Sequence, residues 1–372
     1  MSKAALNLAQ IVNANIQLPS SDLVADIRFF TKQLGFQLET IYPADNPAIA
    51  QLFGYGLRIE LNVKSLNIPG SITLTVNDFT LLDLEQCSLT APNGTIISLV
   101  DANPPLIQPA TEHEFSVCRL ADKGSWGIGR AGMRYRDLIP SRLGDAIIAS
   151  HIHIPTAGLV PDMVHYHEVG FQLIFCYRGW VKVVYEDQGE PIIMRPGDCV
   201  IQPPEIRHRV LESGDDLQVL EIGVPAEHIT KIDSQMTLPN AQFNPQRMFH
   251  GSRFVHHIGE NATWQDWRIP GFKAQKTGIA QATQGIADVQ VVSPIAGSAA
   301  VKSQHDGDIV FTFIKEGAMT LEVEGIENSV HQLSSGDAFI MPPNTPMSYK
   351  NCSSDCELIE VTLAASFNTT VL

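Results

Sequence analysis

The stretch GDCVIQPPEIRH, Gly197–His208, returns 139 residues later as GDAFIMPPNTPM, Gly336–Met347. Each begins with a Gly-Asp turn, runs into a short apolar strand and breaks at a Pro-Pro pair. Further anchors keep the same order and nearly the same spacing. LEIGV (Leu220–Val224) matches IEVTL (Ile359–Leu363), and Gly158 in IPTAG matches Gly297 in SPIAG. Gly179 and Gly317 lie 138 apart, so one residue has been lost between anchors. Agreement of this kind marks two copies of one domain, roughly residues 115–228 and 250–365, joined by a connector, Ile229–His250, that carries Pro239 and Pro245.

Each copy reads as short strands between Gly/Pro turns, for example Phe171–Tyr177, Val181–Tyr185, Ile309–Ile314 and Ala338–Met341. That pattern predicts an all-β sandwich or barrel. The 372 residues suffice for two or three domains. With 44% hydrophobic and 17% charged residues, the chain is neither disordered nor a coiled coil. Its 25 Lys+Arg against 40 Asp+Glu give a net charge of −15, which argues against nucleic-acid partners and gives no support for docking on anionic membranes. No apolar run has the length of a membrane span, and Met1–Gln10 lacks the apolar core of a secretory signal. Six scattered cysteines without a CxxC pair point to a reducing cytoplasm, with Cys352 and Cys356 as thiols.

The chemistry-bearing residues cluster in the first copy. His165 and His167 sit two apart, so in a strand they share one face, with Tyr166 opposite. Gln172 follows a turn at Gly170, and His208 lies about 40 residues on, after the Pro-Pro turn. Only a closed or folded-over sheet brings these together. Three imidazoles on an apolar inner wall are costly to desolvate, and a divalent metal is the economical explanation.

Both copies carry a motif skeleton that resembles the cupin family. In the first copy it stands as Gly158, His165, His167, Gln172 and Gly179, then Pro196, Gly197, Asp198, Pro203 and His208. The resemblance covers about 250 residues and implies a bicupin: a mainly β chain with two double-stranded β-helix (jelly-roll) barrels. It implies one divalent metal held by His165, His167 and His208. The family usually has Glu where this chain has Gln172. Gln172 is therefore either a weak fourth ligand or a neighbour that hydrogen-bonds the bound oxygen or substrate. Glu168 is expected to point away from the His face by alternation.

The second copy keeps His305 at the place of His167 but has Ser303, Val310 and Met347 at those of His165, Gln172 and His208. It is expected to be degenerate and structural. A metal in one barrel beside a degenerate partner also resembles gentisate-type ring-cleaving dioxygenases. His151 and His153, in SHIHIP, form another same-face pair, read either as catalytic helpers at the barrel mouth or as an edge-strand pair away from it. His256 and His257 are adjacent, so both cannot enter one site.

Residues 1–105 differ in character. Leu23, Ile27, Phe30 and Leu34 make one helical face, with Ser20 or Ser21 as caps and Gly35 as a stop. DIRFFTKQLGFQLET (Asp26–Thr40) with PNGTIISL resembles the glyoxalase (vicinal oxygen chelate) family, which implies an α+β βαβββ module. Its ligand positions are not filled, with Asn15 and Gln17 on the first strand, Ser98 on the last, and Glu60 alone acidic. A docked, non-catalytic module is expected.

The domain reading is 1–105, 106–228 and 229–372. The functional reading is a mononuclear metal-dependent, dioxygenase-like oxidoreductase, with Fe(II) favoured over Mn, Ni or Zn. Its partners would be O₂ and a small catechol, hydroxy-acid or enediol substrate, and its assembly a homodimer. A metal-dependent isomerase or hydrolase, and a non-catalytic ligand- or metal-binding module, are the alternatives.

Overall fold

The structure is a computed structural model and describes residues 11–78, 87–122, 126–129 and 132–372. The reading of Met1–Gln10 lies outside them. The chain divides into two compact units, Met1–Pro105 and Leu106–Leu372. Among the described residues no helix is long and apolar enough to cross a membrane.

The first unit has a βαβββ sheet. Its strands Ile16–Pro19, Leu57–Asn62, Ile49–Gly54 and Gln37–Tyr42 lie in that spatial order, the first parallel to the second. The helix Leu23–Arg28 runs on as a wider π-turn, Phe29–Gln33, and buries Leu23, Phe30 and Leu34 against the sheet. Its cap is Asp22, whose carboxylate accepts from the Ala25 N–H at 3.0 Å. The expected cap Ser20 instead donates its hydroxyl to buried Asp26 at 2.5 Å. A three-stranded sheet (Ser71–Val76, Ile96–Asp101, Ser88–Thr90) shares the same core through Ile72, Ile97 and Leu99.

In the second unit each copy of the repeat forms two facing sheets. The first copy has a seven-stranded sheet ordered Val255–His257, Cys199–Ile201, Phe171–Arg178, Leu217–Val224, Ile148–Ile154, Arg134–Asp137 and Gly127–Ile128. Facing it is a sheet ordered Ile192–Met194, Val181–Tyr185, His208–Ser213, His165–His167 and Thr230–Ile232. The second copy repeats the plan with seven strands, Ile309–Glu316 and Glu357–Leu363 among them, facing five that include Lys302–His305 and Met347–Lys350.

Alternation decides what each face does. Along Phe171–Arg178, Phe171, Leu173, Phe175 and Tyr177 join Ile309, Phe311 and Phe313 of the second copy in one apolar cluster. The two large sheets therefore pack back to back, and each fully buried Phe contributes on the order of 1.5–3 kcal/mol. Cys176, from the opposite face, packs with Val181, Val183 and Val219 inside the first copy. Trp267, Phe272 and Tyr349 fill the second.

The Gly-Asp turns work identically in both copies. Gly197 and Gly336 adopt φ of +96° and +92°, where a side chain is strained. Asp198 accepts from the N–H of Arg195 at 2.8 Å and of Gly259 at 2.9 Å. Asp337 accepts from the N–H of Ser334 and of Leu120, both at 2.8 Å. Each aspartate thus closes its own turn and grips a segment from outside its copy. The strand Val255–His257 pairs with Cys199–Ile201, and Ser116–Cys118 pairs with Ala338–Met341. Thr230–Ile232 likewise pairs with His165–His167. A division at 228/229 therefore cuts through the sheets of the first copy, and the segment near 116 belongs to the sheet of the second.

Candidate metal centre

His165 and His208 are cross-strand partners on adjacent strands of the small sheet, and His167 stands two residues along. All three are buried, and one ring nitrogen from each lies within 4.8 Å of the others. Ring centroids are 4.2 Å apart for His165–His208, 5.2 Å for His165–His167 and 5.3 Å for His167–His208.

The backs of the rings fix which nitrogen faces the centre. His165 Nδ1 lies 2.7 Å from the Met163 carbonyl oxygen, and His208 Nδ1 lies 3.0 Å from that of Ile206. A carbonyl only accepts, so Nδ1 carries the hydrogen and the neutral ring presents its lone pair at Nε2. His167 Nδ1 is 2.9 Å from the Thr230 hydroxyl. Asp162, buried behind His165 with Oδ1 3.7 Å from Nδ1, is itself held by the N–H of Met163 and Val210. Imidazoles anchored at Nδ1, one backed by a carboxylate, are the support a metal-binding histidine set needs. The donor set fits a divalent transition metal, and His165, His167 and His208 are the residues that would hold it.

Gln172 enters from the facing large sheet. Its Nε2 donates to Glu221 Oε1 at 2.6 Å. A carboxylate accepts only, so the amide NH₂ faces Glu221 and the amide oxygen turns the other way. Below this pair a cavity of about 80 Å³ runs into the barrel. Its lining is mostly apolar, Ile174 and Val210 included, with Glu221, Gln202 and Tyr185 as polar points beside His167 and His208. Tyr185 accepts from Gln202 Nε2 at 3.0 Å, and burial pushes its phenol up.

His151 and His153 do not join this site. They share a face, as alternation requires, but Ile152 and Ile154 on the other face line the cavity. His151 lies against Tyr177 and Phe313 between the copies, bonded to Arg136 at 3.2 Å and Gln218 at 2.9 Å. Burial, then Arg136, lowers its pKa to about 4. His153 pairs with Asp216 at 2.8 Å. Glu168 points away from the triad to Lys231. Burial pushes Cys176 up to about 12 and raises Cys199 too, so both are inert core thiols.

Residues 151–223 and 289–362 match the cupin domain family. The matched stretches are the two copies described above. Among solved structures the chain is similar to salicylate 1,2-dioxygenase from Pseudaminobacter salicylatoxidans, with a TM-score of 0.53 and 16% identity over 72% of this chain and 90% of that one. A single-site mutant of that enzyme in complex with gentisate matches with a TM-score of 0.53 and 16% identity, over 71% and 88% of the two chains. At this identity the likeness is one of fold. No curated protein matches the chain.

Sequence reasoning missed Asp162, Thr230, Glu221 and His228. His228 lies 5.4 Å from His167, ring to ring. The repeat holds a signal for it, since the first copy has His228 where the second has Phe367.

Proposed function

We propose that the first cupin copy is a mononuclear metal centre of a dioxygenase-like oxidoreductase, with His165, His167 and His208 as ligands and Fe(II) as the metal. The observation that carries this reading is the pair of carbonyl-anchored imidazoles, His165 and His208, which together with His167 aim at one point beside an apolar cavity. A bound divalent metal supplies Lewis-acid polarisation and, as iron, a site for O₂ chemistry. The chain's own contribution is orientation and exclusion of water. Met163, Ile206 and Thr230 hold the rings, and Ile174 and Val210 keep the cavity dry. Glu221 and Gln172 offer a hydrogen-bond acceptor and a fixed amide to a small oxygenated substrate of the catechol or hydroxy-acid type. We read the N-terminal unit as a glyoxalase-like, non-catalytic module, on the strength of its βαβββ order and the engagement of Glu60 by Gln17 and Gln51.

The test is metal analysis of purified protein with oxygen uptake over a panel of catechols and aromatic hydroxy acids after anaerobic Fe(II) loading. One metal per chain and substrate-dependent O₂ consumption are expected. His208→Ala should lower metal affinity by about a hundredfold or more, since removing supporting partners alone costs 10–100-fold. Metal binding without O₂ consumption would move the assignment to an isomerase or hydrolase. Unchanged metal content in His208→Ala would overturn the ligand set.

A further inference from the structure

The lip of the first barrel differs from that of the second at two coupled positions. Strand register aligns Gly223, opposite Gln172, with Thr362, opposite Val310. It also aligns Thr230, opposite His167, with Thr369, opposite His305, which places His228 against Phe367. The aromatic contact is the same in kind: His228 meets His167 edge-on at 5.4 Å, and Phe367 meets His305 edge-on at 5.8 Å. The first copy thus pairs a glycine with a histidine where the second pairs a threonine with a phenylalanine.

The glycine is what admits the imidazole. A Cβ at Gly223 would stand 3.1 Å from His228 Cε1 and 3.2 Å from Ile148 Cγ2. The ring therefore occupies the inward space that Gly223 leaves on the wall beside Gln172. His228 Nδ1 lies 3.1 Å from the Pro225 carbonyl oxygen, so Nδ1 carries a hydrogen and Nε2 is the nitrogen left to face a ligand. Nε2 adjoins the Cε1 that packs over Gly223, and the residue as a whole is half-buried.

We propose that His228 is a specificity-determining residue at the mouth of the metal centre: its imidazole accepts a hydrogen bond from a hydroxyl of the small molecule that binds at the His165–His167–His208 triad. The inference rests on the metal-centre reading. It deepens that reading by naming the group that is held, the hydroxyl beside the metal-binding oxygen of a catechol or hydroxy acid. Phe367 gives the second copy the same packing without the acceptor.

The experiment uses full-length protein loaded with Zn(II), which is redox-silent, and singly ionised 4-nitrocatechol, which keeps one hydroxyl beside its metal-binding oxygen, as a chromophoric probe. His228→Phe borrows the second copy's own residue, and His228→Gln keeps an acceptor. His228→Phe is expected to weaken 4-nitrocatechol binding about tenfold, or about 1.4 kcal/mol, with zinc affinity and Tm unchanged. His228→Gln should return binding to within about threefold of wild type, a rescue that a packing role would not produce. Equal binding by wild type and His228→Phe, absence of probe binding by the zinc-loaded protein, or a parallel loss of zinc in His228→Phe would each overturn the inference. Failure of wild type to bind zinc would instead overturn the metal-centre reading on which it rests.

Discussion

In the first copy the cross-strand pair His165–His208 stands beside a cavity, whereas in the second the same register holds Ser303–Met347. There Tyr349 occupies the place of Val210, and its ring packs against Trp267, Phe272 and Phe339 with centroids 6.3, 5.7 and 6.1 Å away. The turns, the aspartate clamps and the sheet order are shared. One framework can therefore be stabilised by filling its interior or can keep a hollow and polar points inside it. Around Tyr349 the second copy takes the first course, while elsewhere in it a pocket of about 90 Å³ remains, lined by Arg268, Glu360, Thr362 and Phe367.

The sharpest way to break this contrast is to hollow the filled copy. Tyr349→Ala removes a fully buried ring and should cost about 3–5 kcal/mol, the range of large-to-small core changes. Val210→Ala, at the corresponding place beside an existing cavity, should cost roughly 1 kcal/mol. Chemical denaturation of the two variants measures the difference. Equal costs would mean that the second interior is no better packed than the first.

A second comparison concerns protons. His305, the one histidine of the triad positions that the second copy keeps, is held neutral: burial, then Arg268, lowers its pKa from 6.5 to about 4. Below pH 6.5 the unfolded chain takes up a proton that the folded chain refuses until about pH 4. Stability therefore falls as pH drops through that window, by roughly 3 kcal/mol at its lower end. His151 has a similar shift and adds to the slope. His305→Gln should remove about half of this dependence in unfolding curves taken at pH 6.5 and 4.5. An unchanged slope would show that His305 is charged in the folded protein.

Much of this was legible in the sequence because it is local or repeated. The Gly-Asp and Pro-Pro anchors marked the repeat, and the two-residue spacing of His165 and His167 placed them on one face. What alternation cannot supply is which face. His151 and His153 share a face, yet that face turns from the cavity, His151 to Tyr177 and Phe313 and His153 to Asp216, while Ile152 and Ile154 line the cavity. The supporting groups were hidden for a different reason. Thr230 reaches His167 only because Thr230–Ile232 adds to the edge of the small sheet, as Thr369–Val371 does in the second copy, and the clamps of Asp198 and Asp337 hold segments distant in sequence. Neighbouring strands pair in sequence order only about two-thirds of the time, and this chain uses the exceptions to tie its copies together.

The finest distinction lies at Gln172, where the second copy has Val310. A glutamate at 172 would restore the residue usual in the cupin motif, and adding charge near a cation should tighten its binding. Glu221 changes that expectation for the metal-free protein. Its Oε1 lies 2.6 Å from the Gln172 amide nitrogen, so Gln172→Glu replaces a donor by a second acceptor and sets two carboxylates against each other. The metal-free variant should lose about 1–2 kcal/mol, the cost of an unmet buried polar contact with like-charge repulsion added. Divalent metal should then raise Tm more in the variant than in wild type, since the cation relieves that repulsion as it binds. Thermal melts with and without Zn(II) read both quantities. A variant as stable as wild type without metal would place Glu221 outside the pair, and a smaller metal-induced rise would place Gln172 outside the reach of the ion.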